Sequence, residues 1–322
     1  PEANLFPHAM LLLPASDPSQ VRRLVYQCLY EHSEDVLAGT QADLRIYPSP
    51  EIDRAVTTYS GMANAAINDT TRLFPTAEHA LALFDRLVMY RPPMTDNDLL
   101  SDGQKRIVES IGNALSCAIT PALSDDSKTV ERFNQLKAFI EEADGAFSAM
   151  MALTCFAHIN KEVATAAEQV IRNALQHNDS REVSYAALAV NKWMELTDEL
   201  NVPPSLDRLI ARMIVIIESG RTIGLPQLIW VAGQLIGKRR LTQDQAETLA
   251  EAIPNLFAAM DYANIQPKSR EAINASTIRE ACVKVGGMLA RSYLGNDALM
   301  DMLNTSRTDA LPEVRFAIDP VS

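Results

Sequence analysis

SLDRLIARMIVIIESGRTIGLPQLIWVAGQLIGKRR, residues 205–240, holds two apolar runs separated by a short polar break, and its reading decides the fold. Leu209, Ile210 and the run Ile214 to Ile217 cover nearly the whole circumference of a helix over 205–218. A helix that is apolar all round is buried between neighbours or sits in a membrane, and Arg208 and Arg212 interrupt the run, which excludes a span. A second helix follows over 226–236, with a proline at its start where proline is favoured. A link this short makes two consecutive helices pack side by side in opposite directions.

The same 3.6-residue periodicity extends outward from this pair. It predicts helices over 243–260, 269–294 and 297–303 on one side, and over 181–200, 161–176, 146–159, 128–142, 97–119, 76–91, 51–74 and 19–30 on the other. Asp17-Pro18 starts the first of these, and Pro75, Pro92-Pro93 and Pro121 separate later ones. Ile46-Tyr47-Pro48-Ser49-Pro50 reads as extended, because each proline biases its predecessor away from helix. The organisation expected is N-terminal helices over 1–38, a linker over 39–50 and a helical-repeat domain over 51–322. Composition agrees: 43 alanines and 35 leucines stand against 12 glycines and 6% aromatics, which excludes an all-β or Gly-loop-rich fold. The fold class expected is therefore all-α.

Four helix starts share an acidic residue followed four or five positions later by valine: Asp17 with Val21-Arg22, Asp126 with Val130, Asp179 with Val183, and Asp309 with Val314-Arg315. This resembles the HEAT repeat, in which an Asp and a downstream Val-Arg mark the second helix of each pair, followed by small residues such as Ala186-Ala187 here. The resemblance implies an α-solenoid, a right-handed superhelix of antiparallel helix pairs with degenerate repeats. An Asp cap followed by a valine on the buried face produces the same pattern without any repeat. The stretch from Asp309 opens one more apolar helix with no partner after it, and the chain begins at Pro1. A segment of a longer protein is one expectation from this; a terminal cap helix with a short tail is the other.

Catalytic motifs are not found. There is no pair of histidines at ligand spacing, no Gly-rich phosphate loop, no GxSxG elbow and no CxxC pair. His8, His32, His79, His158 and His177 are isolated, and Cys28, Cys117, Cys155 and Cys282 read as reduced core thiols. Gly286-Gly287 falls inside a helical pattern, where it predicts close helix contact or a break. Asp125-Asp126 reads as the cap of the next helix. Trp193 and Trp230 read as core residues, and Met150-Met151, Met300 and Met302 as core filling or an adaptable surface.

One basic cluster stands out, Lys238, Arg239 and Arg240. Three cations at a helix C-terminus are favourable on dipole grounds alone. They are also the candidate binding residues, for an acidic partner or a phosphate, with Arg221 and Arg270 joining them if neighbouring repeats stack all five on one ridge.

With 29 Lys plus Arg against 41 Asp plus Glu, the formal charge is −12, which opposes a whole-surface attraction to nucleic acid or anionic lipid. The function expected is a non-catalytic protein-interaction scaffold or a regulatory helical-repeat domain, with no cofactor and no metal. The partner expected is a protein or peptide with a basic face, or other domains of the same chain, and the setting expected is cytoplasmic with no membrane contact. The alternative is a nucleic-acid-binding module that uses the local basic patch.

Overall fold

A computed structural model describes residues 127–143, 145–197, 202–260, 269–293 and 296–317, with single positions between 81 and 119. Every regular element among the described residues is helical. These are α1 (Thr129–Glu142), α2 (Met150–Leu153), α3 (Lys161–Leu175), α4 (Ser180–Glu195), α5 (Pro204–Glu218), α6 (Leu225–Gly237), α7 (Gln243–Ala259), α8 (Arg270–Ser292), α9 (Asp297–Ser306) and α10 (Pro312–Arg315). The expected N-terminal helices, the 39–50 linker and the helix over 51–74 lie outside the described residues.

Side-chain caps set several of these starts. The Asp179 carboxylate accepts from the backbone N–H of Arg181 at 2.7 Å and of Glu182 at 3.2 Å, beginning α4. Thr242 and Gln245 form a reciprocal capping box at α7. Ser269 and Asn296 cap α8 and α9 through the backbone N–H of Ala272 and Leu299. Lys128 occupies the cap position of α1 and makes no side-chain capping bond there; Asp125-Asp126, the expected cap, lies outside the described residues. The single helix expected over 146–159 is instead a 3₁₀ turn, the short α2 and a second 3₁₀ turn. Here Thr154 Oγ1 donates to Met151 O at 2.7 Å and Ser148 Oγ reaches out to Glu109 O at 2.7 Å, bonds that compete with a regular helical ladder.

The chain divides into two compact units, Pro1–Val170 and Ile171–Ser322, with the boundary inside α3. In the first, the Phe156 ring packs against Phe84 and Phe133, each with centroids 6.0 Å away. Buried Arg132 grips Asp85 through two parallel bonds of 2.5 and 2.9 Å, the fork geometry that suits guanidinium and carboxylate. Ser116 Oγ donates to Ser148 O at 2.8 Å, and a Cβ on Gly112 would lie 2.8 Å from the Ala149 backbone nitrogen, so only glycine allows this approach.

In the second unit helices pack on the next but one and in several cases on their sequence neighbour: α6 lies against α4, α5 and α8, and α7 against α5, α8 and α9. Leu209, Ile210, Ile214, Ile216 and Ile217 of α5 are buried as expected, while Val215 is exposed. Glycine permits the closest contacts. Gly224, at φ +66, sits against Ser180 and Val183. Gly233 of α6 faces Val285 of α8, and Gly286 faces Leu299 and Met302 of α9. Gly286 is thus a contact point in an unbroken helix, the first of the two sequence readings, while Gly287 meets no neighbouring helix.

Pro254 lies inside α7 and cannot donate to the carbonyl of Ala250, four residues earlier. Asn296 Nδ2 donates to that carbonyl at 3.2 Å, while its Oδ1 accepts from Leu299 N at 2.7 Å. One amide therefore caps α9 and supplies the bond that proline removed from α7.

Candidate functional site

The basic cluster begins where α6 ends. Lys238 is its cap, and Arg239 takes the left-handed conformation at φ +53, the one non-glycine residue to do so among the described residues. The backbone N–H of Arg240 donates to Leu235 O and that of Arg239 to Ile236 O, both at 2.9 Å, which closes a Schellman motif in which glycine is the usual occupant of the left-handed position. Gly237 comes two residues too early to serve.

The side chains then turn toward α4. Arg240 Nη2 donates to Thr197 O at 2.9 Å, just past the end of that helix, and Lys238 Nζ lies 4.0 Å from Glu195 Oε1. Glu195 also accepts from Asn191 Nδ2 at 2.9 Å. Cations beside the carbonyl end of α4 are favoured by its dipole. Arg239 is exposed.

Arg221 does not join them. Its guanidinium donates to Leu175 O at 3.4 Å and to His177 O, at the opposite end of α4. The side chain of Arg270 lies outside the described residues.

Trp193 is buried, 2% exposed, as expected for a core residue, but Trp230 is 44% exposed, which corrects its core assignment. The reason is register. Gln227, Trp230 and Gln234 recur at helical spacing on the one side of α6 that α4, α5 and α8 leave uncovered. On α4 the corresponding open stripe carries Arg181, Leu188 and Lys192, and on α8 it carries Ile273, Lys284 and Arg291. The anions there are already engaged: Glu195 with Lys238, Glu280 with Lys284 at 2.6 Å, and Glu182 with His177 at 2.7 Å. The exposed residues of α5, α7 and α9 have the opposite character, with Asp207, Glu218, Asp244, Glu247, Glu251, Asp297 and Asp301 outnumbering Arg208 and, at the end of α9, Arg307. A strongly acidic chain thus carries one cationic and partly apolar side. Sequence reading missed it because net charge averages the two sides, although the i, i+3, i+7 spacing of Gln227, Trp230 and Gln234 could have shown it.

Among the described residues no group of three His, Cys, Asp or Glu side chains converges on a metal site, and no helix is long and apolar enough to cross a membrane. His158 Nδ1 lies 3.0 Å from Cys155 O. Cys155 and Cys282 are buried thiols outside any disulfide, and burial pushes the Cys282 thiol up to about 12 even with Arg279 opposing the shift. Met302 is buried and Met300 exposed, whereas Cys28, Cys117, His8, His32 and His79 lie outside the described residues.

No protein-family model matches the chain, and no curated protein matches it.

Proposed function

We propose that the protein is a non-catalytic interaction scaffold, or a regulatory helical-repeat domain of a larger protein, built as a HEAT-like α-solenoid of antiparallel helix pairs. The observation that carries this reading is the packing of α6 on α4 and α8, the helices two before and two after it. Their ends meet like with like. Gly224 at the start of α6 lies on Ser180 at the start of α4, and Arg240 beyond its end bonds Thr197 beyond the end of α4. Tyr293, at the end of α8, lies 3.4 Å from Leu241 O in the same sense. These ties join residues 43 and 52 apart, near the roughly 40–47 residues of one HEAT or armadillo repeat. Stacking of this kind exposes extended faces, on which such proteins bind others.

The partner is a protein or peptide. The exposed carboxylates of α5, α7 and α9 give a basic-faced partner, the kind expected from the net charge, its electrostatic complement. The reading assigns the chain to the cytoplasm, supported by the buried thiols of Cys155 and Cys282, which form no disulfide. Affinity capture with this chain as bait, washed at low and at high salt, tests the function. A single protein retained in stoichiometric amount is the expected result. Nucleic acid lost steeply as salt rises would replace this reading with the module that binds through Lys238, Arg239 and Arg240.

A further inference from the structure

We propose that the side of the second unit formed by α4, α6 and α8 docks an acidic, amphipathic segment of a partner protein, with an apolar side chain of that segment seated on Trp230. This rests on the scaffold reading and names the chemistry of one partner and the face that receives it.

Charge complementarity selects an acidic occupant. Lys192 on α4 and Arg239 beyond α6 make no ion pair among the described residues, and Arg291 projects from the exposed stripe of α8, where Lys284 is paired with Glu280 of the same helix. Carboxylates spaced along a docked segment would meet cations on each of these helices. Apolar exposure gives the segment its second requirement: Trp230 is 44% and Ile273 62% exposed, on α6 and α8 of the same side. Exposed tryptophan is also the side chain most enriched among residues that dominate binding energy. The mixture distinguishes a protein segment from a nucleic acid. A phosphate backbone calls for dense cations and a series of stacking aromatics, while this face offers scattered cations, a single tryptophan and an isoleucine that has nothing to give a nucleotide.

The test uses the full chain and fluorescence anisotropy of three labelled probes: an amphipathic peptide of Glu and Leu, its Lys and Leu counterpart, and oligo-dT. The Glu/Leu peptide is expected to bind, to weaken as salt rises, and to lose roughly tenfold or more in affinity with Trp230→Ala. The double change Lys192→Glu with Lys284→Glu, at exposed or half-buried positions, is expected to weaken it as well, and unchanged thermal unfolding of each variant confirms that the fold is intact. The Lys/Leu peptide is expected to be indifferent to Trp230→Ala. Absence of Glu/Leu binding, binding insensitive to both variants, or oligo-dT held through the same residues would each overturn the proposal. Stoichiometric capture of a protein that Trp230→Ala leaves untouched would refute this face while leaving the scaffold standing; capture of no protein would refute the scaffold itself.

Discussion

Arg239 carries a side chain at a position that favours having none. A non-glycine residue in the left-handed region costs roughly 1–2 kcal/mol, and here the cost is borne at the turn that directs Arg240 toward Thr197. Arg239→Gly is expected to raise stability by about 0.5–1 kcal/mol, because the relief of strain exceeds the added freedom of the unfolded chain. Urea unfolding reads it as a higher midpoint at unchanged slope. Cys282 makes a prediction of a different kind. Its thiol titrates near 12 in the fold against an ordinary 9.0, so between these values the unfolded chain gives up a proton that the native one keeps. Stability is therefore complete below about pH 9 and falls as pH rises toward 12. Unfolding midpoints from pH 8 to 11 are expected to drop more steeply in the wild type than in Cys282→Ala.

At the level of the element, helix bounds were legible and helix interiors less so. The expected 205–218 and 243–260 correspond closely to α5 and α7, and the expected 181–200 matches α4 at its start but runs past its end at Glu195, because caps such as Asp179 and Thr242 act within one turn of themselves. What the sequence could not convey was tertiary. The four Asp-Val pairs divide: Asp179 caps α4 and Val183 is buried, whereas Asp309 bonds Leu311 N and pairs with Arg279, and Val130 is 50% exposed. Asp17 and Asp126 lie outside the described residues. Nor does any local signal connect Pro254 with Asn296, since the carbonyl of Ala250 reaches that amide across 46 residues. Asn296→Asp keeps the oxygen that caps α9 and loses the donor, so it is expected to cost about 1–3 kcal/mol, the penalty of an unmet buried carbonyl. Asn296→Ala loses the cap too and is expected to cost about 1 kcal/mol more. Chemical denaturation of both variants, repeated with Pro254→Ala, checks the assignment, because restoring the N–H of residue 254 should shrink the Asn296→Asp effect.

For the whole molecule, the decisive fact about the second unit is that each helix depends on near neighbours. Arg279 of α8 stacks over the Phe257 ring at 3.7 Å, donates to Phe257 O at 2.7 Å and pairs with buried Asp309, which ties α7, α8 and the turn after α9 together. Removing one partner of a buried pair costs about 3–5 kcal/mol. In a stack the loss stays near its origin. With Asp309→Ala, amide hydrogen exchange is expected to accelerate across α8, α9 and α10 while α4 and α5 keep their protection; uniform acceleration along Ile171–Ser322 would contradict the proposed solenoid. The all-α class was readable from composition and period, but the cationic side was not, because charges far apart in sequence share a face only once the helices have packed.

The two tryptophans occupy opposite environments, and they are the chain's whole complement. Intrinsic emission is therefore a sum of two separable parts. Trp193, sealed in α4, should emit toward the blue and resist acrylamide, whereas Trp230 should emit toward the red and be quenched readily. Melting of α4 would shift the first, and coverage of the surface around α6 would shield the second. Without any added dye, the protein reports separately on its own integrity and on the occupancy of its outer side.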